Sequence, residues 1–274
     1  RIVTGYPRTE ADQLNAENGY EDKLLDTGEV FGLWVIEGPD SLKEELPFMK
    51  AGLPVMVVAD HTPYKQRKVR ILNGAHTSMV LAAYQCGQNI VRDCMDDPVI
   101  YGFMNKTIYD EIIPTLTLPE EEVKDFAAAV TERFKNPFID HALLSIALNS
   151  TSKWKARVLP SLKGYLEKFG KLPKNMTLSF AAYISFYHCD HLTENGMIGK
   201  RGDEEYTIND DRFVLEFYAE HKDDDPKTLA YAVCRNTQMW GEDLSEIPGF
   251  ADAVADYLTQ IKEKGMYEVL KSVQ

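Results

Sequence analysis

Past His61-Thr62-Pro63 the hydrophobic pattern keeps a helical period almost to the end of the chain. This change of pattern limits the possible folds more than any other feature of the 274 residues. Apolar positions recurring every three to four residues predict helices at Lys68–Cys86, Pro98–Ile113, Glu120–Phe134, His141–Ala147, Leu159–Phe169 and Asn175–His188. An acidic, turn-rich stretch from Asp190 to Asp211 follows. Helices resume at Arg212–His221, Lys227–Asn236 and Phe250–Lys264, with a short last one from Met266. Pro119 ahead of Glu120-Glu121-Glu122 is a helix start, and Gly87, Gly170 and Gly265 are stops. Before the change, Glu10–Glu17 leans helical and Ser41–Lys50 is an amphipathic helix interrupted by Pro47. Two runs of β-formers also stand there: Phe31–Glu37 (FGLWVIE), closed by Gly38-Pro39, and Pro54–Asp60 (PVMVVAD), whose continuous apolar run predicts burial on both faces. Two strands are too few for a sheet of their own. They are expected to complete a sheet whose other strands lie upstream of Arg1. The fold class predicted is mainly α, with a small α/β portion over residues 1–62 and a multi-helical domain over 63–274.

Composition removes several functional classes. A formal charge of −13 repels phosphate backbones, which argues against a nucleic-acid binder. No apolar run approaches the roughly 18 residues that span a bilayer, and the longest, Leu178–Tyr187, is broken by Ser179 and Ser185. The start has no apolar targeting core and no initiator Met, so a fragment or processed form is expected. Cys86, Cys94, Cys189 and Cys234 show no C-x-x-C spacing and read as reduced cytoplasmic thiols.

The stretch Tyr64–Thr77 (YKQRKVRILNGAHT) carries the chemistry. Lys65, Arg67, Lys68 and Arg70 form a cationic patch in an acidic chain, which suggests an anion-facing surface. At roughly 100° per residue, Lys68, Asn73 and His76 fall at roughly 0°, 140° and 80°, on one side of a helix. Gly74 costs a helix about 1 kcal/mol against Ala, so its place beside Asn73 suggests that something approaches the backbone closely. An ammonium can hand a proton to the alkoxide formed when hydride reduces a ketone, with burial and neighbouring cations moving its pKa toward neutrality. An amide and an imidazole can donate hydrogen bonds to the same oxygen. From spacing alone the plain alternative stays open: Lys68 and Arg70 solvated, and His76 a hydrogen-bonded core residue.

Lys68, Asn73 and His76 match a K-x4-N-x2-H signature, and the wider string KVRILNGAHT resembles the long-chain mannitol dehydrogenase family, in particular its tagaturonate reductase branch. RIVTGYPR at the start, Ile108–Pro114 (IYDEIIP), NPFIDHALLSIALNSTSKW from Asn136 and EKGM from Glu263 agree with that branch. The resemblance implies a remnant of a Rossmann domain over 1–62 and, over 63–274, a C-terminal dehydrogenase domain like that of 6-phosphogluconate dehydrogenase. It implies Lys68 as general acid/base, Asn73 and His76 on the reacting oxygen, and no catalytic metal. It further implies NAD as cofactor and interconversion of D-tagaturonate and D-altronate in cytoplasmic galacturonate breakdown. Fructuronate or a neutral ketose is the alternative substrate. The chain departs from the family in lacking G-x-G-x-x-G after a strand, so the nucleotide-binding half, its own N-terminal Rossmann domain, is expected to be missing. A non-catalytic helical piece that binds sugar acids is the reading from another class. A sugar acid needs a cationic partner. Lys153 stands where the broader family has a basic residue near substrate, and with Lys155 and Arg157 it forms a second cationic cluster; a solvated face on a loop is its alternative. Arg70 and His141 complete the substrate-side candidates, with His141 alternatively a helix-start residue bonded to backbone.

Other signals are bland. His188-Cys189-Asp190-His191 crowds three ligand types into four residues, and adjacent ligands rarely all reach one ion. Asp223-Asp224-Asp225 reads as a solvated loop, and Trp34, Trp154 and Trp240 as core anchors.

Overall fold

The computed structural model describes residues 4–28, 32–137 and 139–274. Phe31 of the first predicted strand, and Arg1–Val3 and Phe138 of the family-like segments, lie outside them. The chain divides into two compact units, residues 1–66 with 136–140 and residues 67–135 with 141–274.

The first unit holds β1 (Thr4–Gly5), α1 (Ala11–Asn18), β2 (Thr27–Gly28), β3 (Trp34–Glu37), α2 (Leu42–Glu45), a 3-10 turn at Pro47–Ala51 and β4 (Val55–Val58). β1 and β2 pair antiparallel, while β3 and β4 pair parallel with Trp34 opposite Val55 and Glu37 opposite Val58. Pro47 ends α2 as predicted and opens the 3-10 turn. Two expectations fail here. β4 is only partly buried, with Val57 its one buried residue, and Trp34 is 56% exposed rather than a core anchor. The described residues of this unit cover the strand pair only in part: the 3-10 turn packs on β4, and its Phe48 meets the Trp34 ring at 5.8 Å between centroids.

The second unit is helical. It begins with the end of α3 (Thr62–Arg67), a π-turn at Lys68–Asn73 and α4 (Gly74–Gln85), followed by α5 (Val91–Asp96), α6 (Pro98–Lys106), a second π-turn at Thr107–Ile112 and α7 (Glu120–Phe134). Then come α8 (Leu143–Ala147), α9 (Ser150–Arg157), α10 (Leu159–Phe169) and α11 (Lys174–Tyr187). Strands β5 (His191–Thr193), β6 (Gly196–Arg201) and β7 (Glu204–Ile208) intervene before α12 (Arg212–Glu220), α13 (Pro226–Arg235), α14 (Thr237–Trp240), α15 (Phe250–Lys264) and α16 (Met266–Ser272). α4 and α11 are buried almost all round, as helices apolar on every face must be. They pack on each other, with α8 and α9 against α4 and α15 against α11. Trp154, Phe180, Tyr183 and Trp240 lock α9, α11 and α14 together, ring against ring. The four cysteines are unpaired, and no described helix is long and apolar enough to cross a membrane.

The acidic, turn-rich stretch 190–211 holds three strands that the sequence reading did not foresee. It is an antiparallel meander, β5-β6-β7, with Met197 opposite Ile208 and Gly199 opposite Tyr206. Its acidic composition belongs to exposed positions, Glu205 on the outer face and Glu204 at the strand end, while Met197, Tyr206 and Ile208 are buried on one face at period two. Gly199 is required there: a Cβ would stand 2.5 Å from the Tyr206 ring, which packs on the bare backbone. The segment around Lys153 is not a loop but α9. Asn149 enters it in the left-handed region at φ 53°, and Asp210 accepts the N–H and hydroxyl of Thr151 in its first turn.

Candidate active site

The three signature residues lie at the junction of the first π-turn with α4. The Gly74 N–H reaches back five residues to the Val69 carbonyl, so this turn holds one residue more than an α-turn. The extra residue rotates everything after it back by about 100°. Asn73 and His76 then move from roughly 140° and 80° to roughly 40° and −20° relative to Lys68. The spacing i, i+5, i+8 spreads three side chains over one side of a straight α-helix, and a π-turn narrows that spread.

Their surroundings differ. Lys68 is exposed, contrary to the burial expected of it, because nothing described in this unit covers that end of the stripe. Asn73 is half-buried. His76 is half-buried as a residue, but its Nε2 is fully enclosed and has no hydrogen-bond partner among the described residues. The imidazole stacks on Phe134 at 4.1 Å between centroids and 18° between planes, and meets His141 edge-on at 5.6 Å. Desolvation, with the charges of His141, Arg157 and Arg133, pushes its pKa down to about 3, so the ring is neutral across the physiological range. A buried ring nitrogen without a partner is costly, and a ligand atom reaches this one only where a packed neighbour such as His141 moves aside.

The predicted cationic patch is dispersed. Arg67 is buried, pairs with Glu122 at 2.6 Å and lies over the Phe126 ring. Arg70 donates to Ser161 Oγ at 3.0 Å, which commits it to α10, and burial lowers its pKa. Cations reach the His76 end from other elements. Arg157 ends α9 and Arg133 stands in the last turn of α7. Lys153, half-buried on α9, donates to the Ile146 carbonyl at 2.8 Å, and burial followed by repulsion from Arg157 lowers its pKa. His141 is exposed, and its carbonyl accepts the Val91 N–H. The sequence reading missed Arg133 and Phe134 and noted Arg157 only as part of a cluster. Their one signal was a place in the last turn before Asn136-Pro137, which periodicity does not rank.

Gly74 has the close neighbour its position suggested. A Cβ there would stand 3.4 Å from the Arg157 carbonyl oxygen and 3.7 Å from Ile112 Cδ1. Gly74→Ala is expected to change stability by less than about 1 kcal/mol, since a bare methyl is just accommodated and gains helix propensity. Gly74→Val should cost about 1–3 kcal/mol by pushing α9 away. Urea unfolding of both variants checks this, and equal effects would mean that α9 does not press on α4 as described.

The four residues 188–191 do not bring three ligand atoms together. His188 Nε2 binds the Lys222 carbonyl, His191 Nδ1 binds Asp190, and Cys189 is buried near the Tyr218 carbonyl. In the first unit, Glu37, Asp60 and His61 bring ligand atoms within 4.8 Å of one another, all exposed. Asp225 of the acidic run caps α13, accepting the Lys227 and Thr228 N–H groups.

The family profile of the mannitol dehydrogenase C-terminal domain matches residues 60–262. Altronate oxidoreductase of Shigella flexneri is 45% identical over 277 residues, covering 99% of this chain and 55% of that protein. The altronate oxidoreductase of Yersinia enterocolitica is 46% identical over 272 residues, covering 97% and 54%. The chain thus spans about half the length of the curated relatives it matches. Among solved structures, Pseudomonas fluorescens mannitol 2-dehydrogenase, a ternary complex with NAD and D-mannitol, superposes with a TM-score of 0.77 at 23% identity, covering 100% of this chain and 53% of that one. Substrate-free D-sorbitol dehydrogenase gives 0.76 at 24% identity, covering 98% and 53%. These two likenesses establish the multi-helical fold.

Proposed function

The chain belongs to the family of the mannitol dehydrogenase C-terminal domain, and from that membership we propose that it is the substrate-side part of an NAD-dependent oxidoreductase interconverting D-tagaturonate and D-altronate. The observation that carries this reading is the stripe of Lys68, Asn73 and His76 on the π-turn, with the enclosed His76 Nε2 lacking a partner. In the reduction, the carbonyl oxygen of the substrate gains negative charge. The Asn73 amide and the neutral His76 ring, in its Nε2–H tautomer, donate hydrogen bonds to it, and Lys68 Nζ delivers the proton. Altronate oxidoreductases at 45–46% identity support the sugar-acid substrate, as do the half-buried cations around His76.

NADH would supply the hydride, and the residues present do not fit a dinucleotide. Among the described residues no Gly-rich turn leads from a parallel strand into a helix: β3 runs into Gly38-Pro39 and β4 into Asp60-His61-Thr62. We therefore assign NAD to an N-terminal domain of the complete polypeptide and residues 63–274 to the substrate domain.

NADH oxidation by the complete polypeptide, with D-tagaturonate, D-fructuronate and D-fructose compared, tests the reading. The expected result is the highest kcat/KM with tagaturonate, and no turnover by the present chain alone. Preference for fructose would reject the substrate. Turnover by the purified chain would reject the assignment of the cofactor to another domain.

A further inference from the structure

We propose that Arg157 reads the substrate carboxylate and so decides between acidic and neutral ketoses; this deepens the functional reading above and rests on it. Three observations carry it. First, the backbone fixes the place. The Arg157 carbonyl packs on Gly74, and its Nη1 donates to Thr77 Oγ1, so the guanidinium stands beside the turn of α4 that bears His76.

Second, the charge is uncompensated. Arg157 is half-buried, and the one side-chain hydrogen bond it makes among the described residues, at 3.3 Å to a neutral hydroxyl, is long and weak. Among the described residues no carboxylate pairs with it, in a chain with 43 acidic residues. Arg67, Lys124, Lys163, Arg201 and Arg212 each have such a partner within 2.6–2.8 Å. An arginine keeps its charge when partly desolvated, so an anion from outside is the remaining way to neutralise it.

Third, its neighbour is suited to a different task. Lys153, four residues earlier on α9, lies on the same helix face, spends one donor on the Ile146 carbonyl and feels the charge of Asp210. Arg157 has four of its five N–H donors left, in a planar fork that matches a carboxylate bidentately. Lys153 is left to a hydroxyl. A neutral ketose gains nothing from the fork, whereas a keto-sugar acid neutralises it.

The test compares kcat/KM for D-tagaturonate and D-fructose in the complete polypeptide for wild type, Arg157→Gln, Arg157→Lys and Thr77→Val. Loss of a charge-assisted fork should lower the tagaturonate value about 100-fold in the glutamine variant, mainly through KM, and leave the fructose value within threefold. The lysine variant should fall between, and Thr77→Val, which removes only the tether, should keep the wild-type ratio. An equal fall for both substrates would make Arg157 a structural tether and overturn the proposal. Calorimetric titration of D-altronate into the present chain separates this from the functional reading. Loss of altronate binding in Arg157→Gln with an inactive wild type rejects only the reaction, while equal binding by wild type and variant rejects Arg157.

Discussion

Lys68→Ala in the complete polypeptide is expected to lower kcat for tagaturonate reduction by on the order of 10²–10⁴-fold, with KM little changed and partial rescue by added primary amines. The size follows from the task. If Lys68 is the general acid proposed above, its removal leaves the developing alkoxide to take its proton from water, while the hydrogen bonds proposed for Asn73 and His76 remain. Only the chemical step is affected, because a group acting on the oxygen in the transition state contributes little to ground-state binding. Rescue by amines is the sign that separates proton delivery from folding, since a small amine can occupy the volume of the lost side chain and restore no packing. Lys68 is exposed in this chain, so its removal should leave the thermal unfolding of the chain unchanged. A near-normal rate, or a loss that no amine restores, would make Lys68 a positioning or solvated residue.

The π-turn shows how much of this site was legible. The residue types were readable, because an ammonium, an amide and an imidazole in a helical run otherwise apolar are a rare combination. That they share one side of a helix was readable too, but the narrowing was not, because 100° per residue is the only geometry periodicity supplies, and the inserted residue at Val69–Gly74 depends on tertiary packing. The same limit explains the dispersal of the cationic patch: sequence shows that Arg67 and Arg70 are charged but not that Glu122 and Ser161 wait for them 55 and 91 residues later. Helix ends were readable where one residue dictates the backbone. Gly170 and Gly265 close α10 and α15 at φ 65° and 82°, and Pro119 precedes α7. The meander was hidden because outward acids and a packing glycine look like a loop until Tyr206 is seen lying on Gly199. α9 was hidden for a related reason, since its first turn is polar and depends on Asp210, 59 residues from Thr151.

Glu111→Ala is expected to cost this chain about 4 kcal/mol at pH 5, the largest stability effect anticipated for a single buried polar group. Glu111 lies in the second π-turn, is 5% exposed, and accepts the N–H groups of Asn175 and Met176 at 2.7 and 2.8 Å, so it caps the buried helix α11 from a distant part of the chain. Alanine leaves two helix donors dry and a cavity beside them. Burial raises the Glu111 pKa from its ordinary value to about 7, against the pull of those N–H bonds. A folded pKa above the unfolded one means that the native state holds the proton more tightly. The contribution is therefore full below about pH 4.5 and is lost as pH rises through about 7, a change of about 3 kcal/mol. His76 acts in the opposite sense. Its depressed pKa supplies stability above about pH 6.5 that is lost on acidification toward 3, by less than full burial would give because the residue is half-exposed. Wild type should thus be nearly flat between pH 4.5 and 6.5. Glu111→Gln, which keeps one acceptor and cannot titrate, should gain stability over that range as the His76 contribution stands alone. Urea unfolding at pH 4.5, 5.5, 6.5 and 7.5 measures the difference. A glutamine variant that tracks wild type at all four would show that Glu111 is ionised throughout and that its bonds to α11, not its burial, set its proton affinity.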